Sequence, residues 1–486
     1  MFGKGRVVLF LTELIKDWPC TVNGGELRTV VTGITEDSSR VKKGCVFVAR
    51  KGNQSDGVKY IKKAIEQGAA AIVIDRTNLT EIPADVVVIT VSDCTKFMSH
   101  ASAQLVGNPA KRMKMIAVTG TNGKTTVTHF IGQLLSKFGN RVAVIGTTGI
   151  FIDGVKIDYE CPKMTTLPAE YLHPLLKKCV DENVSHIVLE ASSLGLSSNR
   201  LDHCDIDIGI LLNIGTDHYE EHGGKFAYIN AKKRLIQMAK TFIVNNDDKE
   251  CVKMVQNATV PLVYFGTNSS ADVQVPELKM NPDILGHYNR MNTLAAISAL
   301  LVLGYYLDDI LLHCELLQLP EGRLQQLERD GVKVYVDYAH TPDALEAVLQ
   351  TLSNSCYGRL ITVFGCGGQR DKGKRAEMGE LAVLYSSIVI VTSDNPRNED
   401  PKAIISDIME GFGGECSAIE AELDRKYAIR KAIFCAAPGD IVLIAGKGHE
   451  KSQHTADGLI PFSDLEEAAR ALSEKTFLDI KEINME

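Results

Sequence analysis

The residues Gly120-Thr121-Asn122-Gly123-Lys124-Thr125-Thr126 follow an apolar run at 115–118 and open a helical stretch near Thr125. A strand, a glycine turn and a helix in that order form a cradle for phosphate. Glycines let backbone N–H groups approach an anion, and the helix N-terminus adds unpaired donors and partial positive charge. Lys124 can reach the terminal phosphates, and the Thr125 hydroxyl can hold Mg²⁺. The first glycine of the long G-x-x-x-x-G-K-[ST] pattern falls on Val118, so the chain carries the shorter G-x-x-G-K-T-T form. Such glycines also build plain strand-to-helix connectors. The Lys-Thr pair at the helix start turns the reading towards a nucleotide, and towards an enzyme that uses ATP.

Further polar groups stand directly after apolar runs. Glu190-Ala191-Ser192-Ser193 follows 186–189, and Asn213 and then Asp217-His218 follow 208–212. Later come Asp337-Tyr338-Ala339-His340, Gly365-Cys366-Gly367-Gly368-Gln369-Arg370-Asp371, Asp394-Asn395-Pro396-Arg397 and Gly446-Lys447-Gly448-His449-Glu450. Any one of these is explicable as turn chemistry. Together the last four point to one cleft facing the nucleotide, because ligands of open α/β sheets gather beyond the carboxyl ends of the strands. Glu190 offers the hard oxygen that suits Mg²⁺. His218 is ambiguous, since His222 lies close by and a lone histidine is usually structural. Lys232 and Lys233 sit in a helical pattern near Tyr228 and read by default as a solvated charged face. Arg370, Lys374 and Arg375 cluster after the glycine run. Lys374 reads equally well as a solvated helix start, whereas the planar fork of Arg370 suits carboxylate or phosphate. Asp394 and Arg397 flank a proline with opposite charges. They match a zwitterion with ammonium and carboxylate ends, or else an internal salt bridge in a turn.

The elements that must position these groups fall into three blocks. Residues 1–108 mix strands at 45–49 and 71–74 with a helix at 61–66, and Gly107-Asn108-Pro109-Ala110 is a turn signal and linker. Residues 109–325 hold the phosphate loop and apolar strands at 141–145, 186–189, 208–213, 242–244 and 262–265. Residues 326–486 repeat that grammar, with strands at 332–336, 360–364, 388–392 and 441–445. Helices there fit 342–352, 374–384, 401–411, 425–436 and 463–475. Strands alternating with helices predict mostly parallel sheets. The fold expected is α/β in three domains: a small N-terminal α/β domain, a central P-loop-type ATPase domain with a mostly parallel sheet, and a C-terminal Rossmann-like domain.

Composition narrows the function classes. The 486 residues carry a net charge of −8 with no long basic run, which argues against a nucleic-acid scaffold. An anionic substrate must then be met by local Lys and Arg. The 12 cysteines include no C-x-x-C pair, which argues against zinc or a disulfide framework and for reduced thiols in the cytoplasm. The apolar run at 7–11 is too short for a signal h-region. The run at 294–307 has the length of a buried core helix and is too short to span a membrane.

As a set, the motifs resemble the Mur ligase family, the ATP-dependent amide-forming enzymes of peptidoglycan precursor assembly. The resemblance rests on residues 120–126, Asp337-Tyr338-Ala339-His340-Thr341-Pro342-Asp343, residues 365–375, residues 394–397 and residues 445–450. Asp37-Ser38, residues 44–49 and Asp56-Gly57 fit as well. Within the family the chain is most similar to the members that add the third residue of the stem peptide. Asp-Asn-Pro-Arg is the family's signature for meso-diaminopimelate as opposed to L-lysine.

The resemblance implies an ATP- and Mg²⁺-using ligase that adds meso-diaminopimelate to UDP-MurNAc-L-Ala-D-Glu through an acyl phosphate. It implies a cytoplasmic, monomeric enzyme of cell-wall biogenesis, and so of cell shape and cell division. Its partners would be the UDP-muramoyl dipeptide and the diamino acid, with no nucleic acid and no membrane span. By the resemblance, Gly120, Thr121, Asn122, Gly123, Lys124, Thr125, Thr126, Asn289, Asn292, Arg323 and Asp337 serve ATP. Lys124, Glu190, His218 and Lys232 serve catalysis. Thr125, Glu190, His218 and a carbamylated Lys232 serve the metal. Ser38, Thr165, Thr166, Ser192 and Arg200 hold the UDP-substrate, and Arg370, Asp394, Asn395, Arg397, Gly446 and Glu450 hold the amino acid.

The chain departs from the family pattern chiefly on the UDP-substrate side. Leu194 stands where a histidine usually follows Ser-Ser, Ser39 where an arginine is usual, and Leu212 where a threonine precedes the asparagine. Leu167-Pro168-Ala169-Glu170 alters the usual Thr-Thr-Pro-Glu, Ala376 replaces a proline, and a glutamine replaces a glutamate beyond Arg323. The alternatives are a diverged Mur-type ligase using L-lysine or another carboxylate acceptor, as a folylpolyglutamate-type ligase does, and a nucleotide-binding regulator that no longer catalyses.

Overall fold

A computed structural model describes residues 9–52, 55–76, 82–215, 219–413 and 418–483. Apolar runs closed by glycine turns pair into three principal sheets. The first has five strands in the order Cys20–Asn23, Val87–Val91, Ala71–Ile74, Cys45–Val48, Gly33–Thr35. Ala71–Ile74 and Cys45–Val48 are buried at every position, as central parallel strands covered on both faces must be. The helix Cys94–Leu105 that covers this sheet starts where Asp93 accepts from the N–H groups of Thr95 and Lys96.

The second sheet has eight strands. Six run parallel in the order Val142–Gly146, His186–Glu190, Lys114–Thr119, Ile208–Leu211, Thr241–Asn245, Leu262–Phe265. Gly149–Ile152 and Val155–Lys156 extend one edge in antiparallel sense. Alternate residues feed opposite cores. Met115, Ala117, Ile187 and Leu189 face one helix layer, and Ile116, Val118 and Val188 face the other. Lys114–Thr119 lies between His186–Glu190 and Ile208–Leu211, and the chain leaves it on one side and later returns on the other. The phosphate loop therefore opens at the switch point of the sheet, with Glu190 paired beside Val118 and Leu211 beside Thr119.

The third sheet has six strands in the order Gln325–Arg329, Val332–Asp337, Ile441–Ala445, Leu360–Phe364, Ile388–Thr392, Ala418–Glu422. All neighbours are parallel except Gln325–Arg329 against Val332–Asp337. The four strands that precede the polar clusters are thus adjacent and point the same way, which brings Asp337, Gly446, Gly365 and Asp394 to one edge.

The elements expected from the apolar runs are present with ends shifted by a few residues, except that the last helix, expected at 463–475, runs from Asp464 to Ile483. The apolar stretch at 294–307 is not one helix: His287–Val302 is capped by Leu303 and followed by Gly304, whose φ is +94°, and Leu307–Cys314 forms a separate helix. Among the described residues no helix is long and apolar enough to cross a membrane.

Candidate active site

The loop at 120–123 is held from three directions. Gly123, at φ +87°, caps the helix Lys124–Lys137, and a Cβ there would fall 2.5 Å from Asn292 Oδ1. Asn292 Nδ2 donates in turn to Asn289 Oδ1 at 3.1 Å, and both asparagines are buried on the helix His287–Val302. The Asn213 carboxamide bonds both backbone groups of Asn122, accepting from its N–H at 2.8 Å and donating to its carbonyl at 3.1 Å. Thr121 Oγ1 lies 2.7 Å from the Tyr228 hydroxyl and accepts from the Gly215 N–H at 2.8 Å. Thr126 is buried just inside the helix.

Two lysines converge on this loop. Lys124 Nζ donates to the carbonyls of Gly120, at 2.9 Å, and Thr121, at 2.8 Å. Lys232 Nζ donates to the same Gly120 carbonyl at 2.8 Å and lies 4.6 Å from the centre of the Tyr228 ring. Lys232 is 2% exposed, while Lys233 faces solvent. The expected solvated face holds for Lys233 and fails for Lys232. The helix Lys225–Met238 crosses the loop, and only that crossing selects which lysine is buried.

The third sheet reaches the loop through Arg323. Its Nη2 donates to Thr125 Oγ1 at 3.1 Å, and its guanidinium lies 4.7 Å from the Tyr338 ring centre. Asp337 accepts from the N–H groups of Leu324 and Ala339, both at 2.7 Å, and so fixes the turn that aims Arg323. Burial pushes the Asp337 carboxyl up, against the pull of Arg323 and those two bonds.

Glu190 is buried, and a Cβ on Gly146 would meet its Oε1 at 2.1 Å, so the carboxylate rests on a glycine. It accepts from the Thr147 N–H and the Thr147 hydroxyl, both at 2.9 Å. Glu190 is thus neither a surface residue nor a helix cap. The Glu190 carbonyl accepts from Thr166 Oγ1 at 2.7 Å, which itself accepts from the Ser192 N–H at 2.9 Å. Thr165 Oγ1 lies 3.0 Å from Thr147 Oγ1, and Arg200 Nη1 donates to the Thr166 carbonyl at 2.8 Å. Thr165, Thr166, Ser192 and Arg200 therefore gather beside Glu190. Ser38 stands apart in the turn Ser38–Arg40 of the first sheet, with no hydrogen bond to this group among the described residues. That sheet docks instead through Arg40, 3.6 Å from Glu170 and 4.2 Å from the Tyr171 ring centre. Asp217 and His218 lie outside the described residues.

At the third sheet's edge, Asn395 and Glu450 are joined at 2.8 Å. Asp394 is buried so closely under Gly446 that a Cβ there would come within 2.3 Å of its Oδ2. The salt bridge considered between Asp394 and Arg397 is not formed among the described residues. Arg397, at φ +54°, turns its guanidinium to the Gly368 carbonyl at 2.5 Å. Arg370 pairs with Glu221 on the short helix Tyr219–His222, so it bridges the second and third sheets. Arg375 is not at a solvated helix start. It is fully buried, 2.8 Å from Glu399 and 2.7 Å from Asp407. Lys374 donates to the His340 carbonyl at 2.8 Å. Sequence reasoning overlooked Thr147, and it named Asn213 and Lys447 as members of strand-end clusters without giving either a role. For Lys447 a signal existed, since it stands inside the glycine cluster that ends in Glu450.

Three family profiles match in chain order: "Mur ligase family, catalytic domain" at residues 30–112, "Mur ligase middle domain" at 118–300, and "Mur ligase, glutamate ligase domain" at 322–448. The chain belongs to the Mur ligase family. It is 37% identical over 492 residues to the UDP-N-acetylmuramoyl-L-alanyl-D-glutamate–2,6-diaminopimelate ligase of Syntrophomonas wolfei subsp. wolfei, covering 96% of this chain and 99% of that one. A solved structure of a ligase of that name is 32% identical and superposes with a TM-score of 0.66, covering 97% of this chain and all of that chain. Folylpolyglutamate synthase of Mycobacterium tuberculosis, solved with ADP and AMPPCP, shares the fold at 18% identity and a TM-score of 0.59, covering 72% of this chain and 92% of that one.

Proposed function

We propose that this chain is an ATP-dependent acid–amino-acid ligase that joins meso-diaminopimelate to UDP-MurNAc-L-Ala-D-Glu in peptidoglycan precursor synthesis. The observation that carries the reading is likeness to ligases of that name over nearly the whole chain, at 37% identity and 96% coverage. In the first step a substrate carboxylate attacks the γ-phosphorus of ATP, giving an acyl phosphate and ADP. In the second, an amine of the diamino acid attacks the acyl carbon and expels phosphate.

Positioning and charge neutralisation do most of such work. Lys124 exchanges loop carbonyls for phosphate oxygens and, with the loop N–H groups, offsets the charge on the transferring phosphoryl. Arg323, aimed by Asp337, serves the nucleotide from the other sheet, and Asn289 and Asn292 line its far side. Thr125 and Glu190 are hard oxygen donors that fit Mg²⁺. Among the described residues no three His, Cys, Asp or Glu groups gather into a metal cage. Mg²⁺ keeps waters and takes phosphate oxygens alongside few protein ligands. When bound, the ion supplies further neutralisation of phosphate charge. His218, and Lys232 in carbamylated form, are proposed as its remaining protein contacts. Ser38, Thr165, Thr166, Ser192 and Arg200 hold the UDP-substrate, and Arg370, Asp394, Asn395, Arg397, Gly446 and Glu450 the amino acid. The reading places a monomeric enzyme in the cytoplasm.

The test offers purified protein ATP, Mg²⁺, UDP-MurNAc-L-Ala-D-Glu and either diaminopimelate or L-lysine, and reads the product mass. The diaminopimelate adduct is expected, with ADP release that needs both substrates. A lysine adduct, or turnover only with another carboxylate acceptor, supports the diverged ligase instead. ATP hydrolysis indifferent to both substrates defeats the proposal.

A further inference from the structure

We infer that Lys447 is a positioning residue that, together with Asn395, locks Glu450 as a fixed acceptor for the ammonium group of the incoming amino acid. The inference rests on the reading of that edge as the amino-acid site. Lys447 is 0% exposed, on the turn after Ile441–Ala445. A buried ammonium is costly unless paired and hydrogen-bonded. Here Lys447 Nζ donates to Asn395 Oδ1 at 2.9 Å and to Glu450 Oε2 at 2.7 Å, and Asn395 Nδ2 donates to the same Oε2 at 2.8 Å. The three side chains close a triangle. The His454 N–H also donates to Asn395 Oδ1, at 2.9 Å, so the amide has one orientation compatible with all its bonds.

Both bonds into Glu450 converge on Oε2. Among the described residues none reaches Oε1, which is left to accept from a ligand. Burial opposes the ionised form of Glu450, yet the charge of Lys447 and the bonds from Lys447 and Asn395, with His449 adding, hold its carboxyl below the usual range. Beneath the triangle, Arg425 and Asp464 form a fully buried pair at 2.7 Å, and Arg425 donates to the Ala445 carbonyl at 2.9 Å. That pair fixes the strand end from which Lys447 departs. Lys447 is a cation beside a site proposed for another cation. As a simple counter-charge it would weaken binding, and as a positioning group it strengthens it. The two roles predict opposite signs.

The experiment measures KM for diaminopimelate, ATP and the muramoyl substrate in the full-length enzyme and in Lys447→Met, which keeps the volume and removes donors and charge. The KM for diaminopimelate is expected to rise about 10- to 100-fold, the range of a charge-assisted bond. The other two KM values stay within about twofold. The acid limb of kcat/KM for the amino acid moves to higher pH, because Glu450 loses the charge that keeps it ionised. Lys447→Gln, which retains a donor, recovers part of the affinity; should Lys447→Met not fold, Lys447→Gln alone must show the intermediate rise and the shifted limb. An unchanged or lowered KM for diaminopimelate overturns the inference. So does a uniform rise in all three KM values without the pH shift. A wild-type enzyme that forms no diaminopimelate adduct defeats the proposed function instead.

Discussion

The phosphate loop bonds its lysines to backbone carbonyls, whereas the fully buried cations of the third sheet are bonded to carboxylates, and its partly exposed Arg397 and Lys374 bond to carbonyls. At the loop, Lys124 and Lys232 bond to the backbone carbonyls of residues 120 and 121. At the edge, Lys447 bonds to Glu450, Arg375 to Glu399 and Asp407, and Arg425 to Asp464. A bond between two opposite charges is stronger than one from an ammonium to a neutral carbonyl, because the full Coulomb attraction is added. On the proposed function, phosphate oxygens would therefore draw Lys124 away from carbonyls, whereas a small ligand would not displace Glu399 from Arg375. The loop would then change partners on loading. The edge is assembled beforehand, so binding there spends little on ordering side chains.

The largest expected effect breaks that comparison on the loop side. Lys124→Ala should lower kcat by about 10³-fold, the upper range for removing one group that stabilises transition-state charge. The melting temperature should move far less than activity, because the carbonyls of residues 120 and 121 that lose a donor can be satisfied by water. Substrate-dependent ADP release and thermal unfolding check both halves. Turnover within about tenfold of wild type would show that phosphoryl transfer does not depend on this lysine. Arg375→Met should do the reverse, destabilising the fold by about 1–3 kcal/mol, because Glu399 and Asp407 lose a buried partner while remaining partly solvated and Glu399 keeps Lys372. Denaturant unfolding measures it. A loss below about 1 kcal/mol would mean that the edge is not held by its charges.

How much of this could be read beforehand follows the same division. The parallel strands were legible because strands covered on both faces are buried along their whole length and carry unbroken apolar runs, as at Ile187, Val188 and Leu189 and in Ile441–Ala445. The antiparallel additions were not. Gln325–Arg329 reads Gln-Gln-Leu-Glu-Arg, a polar edge whose pairing depends on Val332–Asp337. The loop and the strand-end clusters were legible from residue type and spacing. The burial of Lys232 was not, because helical periodicity places it next to Lys233 on a charged face and only the crossing of Gly120 separates them. Nor was the fate of Arg375, whose partners Glu399 and Asp407 are distant in sequence. The positive φ of Arg397 likewise turned an apparent ion pair with Asp394 into a bond to Gly368.

A smaller effect sharpens the picture of the loop. Gly123→Ala meets a left-handed backbone and an Asn292 oxygen 2.5 Å from the new Cβ. Gly139→Ala meets a similar backbone, at φ +78°, with nothing within 4 Å. The backbone term is about 1–2 kcal/mol in both. Unfolding experiments should place Gly139→Ala in that range and Gly123→Ala beyond it, with only Gly123→Ala raising the KM for ATP. Equal losses would mean that Asn292 yields without disturbing the loop.

The smallest effect concerns acid, and it sets the junction of the first and second sheets against the third sheet's edge. His173, on Ala169–Asp181, is fully buried, and its Nε2 lies 3.5 Å from Ser99 Oγ. Burial, with His203 adding and the Asp202 carbonyl opposing, holds it down to about 3. Burial also lowers His100, with His203 adding and Asp17 opposing, and lowers His203, with Lys111 adding and Asp202 opposing. An unfolded histidine titrates near about 6.5. Below that value the unfolded chain binds more protons than the folded one, so the histidines' contribution is complete above it and is lost as pH falls. Glu170 acts in the opposite sense. Burial raises it to about 7 against the nearby Arg40, so its contribution is complete below its unfolded value and is lost as pH rises through about 7. At the third sheet, Arg375 holds Glu399 well below the usual carboxylate range despite partial burial, so that pair stays charged in acid. The junction should therefore loosen before the edge does. Trp18, the one tryptophan of the chain, lies 4.7 Å from the His100 ring and reports on the junction alone. Its emission should change between about pH 6 and 4 while far-ultraviolet dichroism holds, and His173→Leu should move that change to lower pH. Coincident transitions would show that the acid response is global, and the contrast between junction and edge would then be lost.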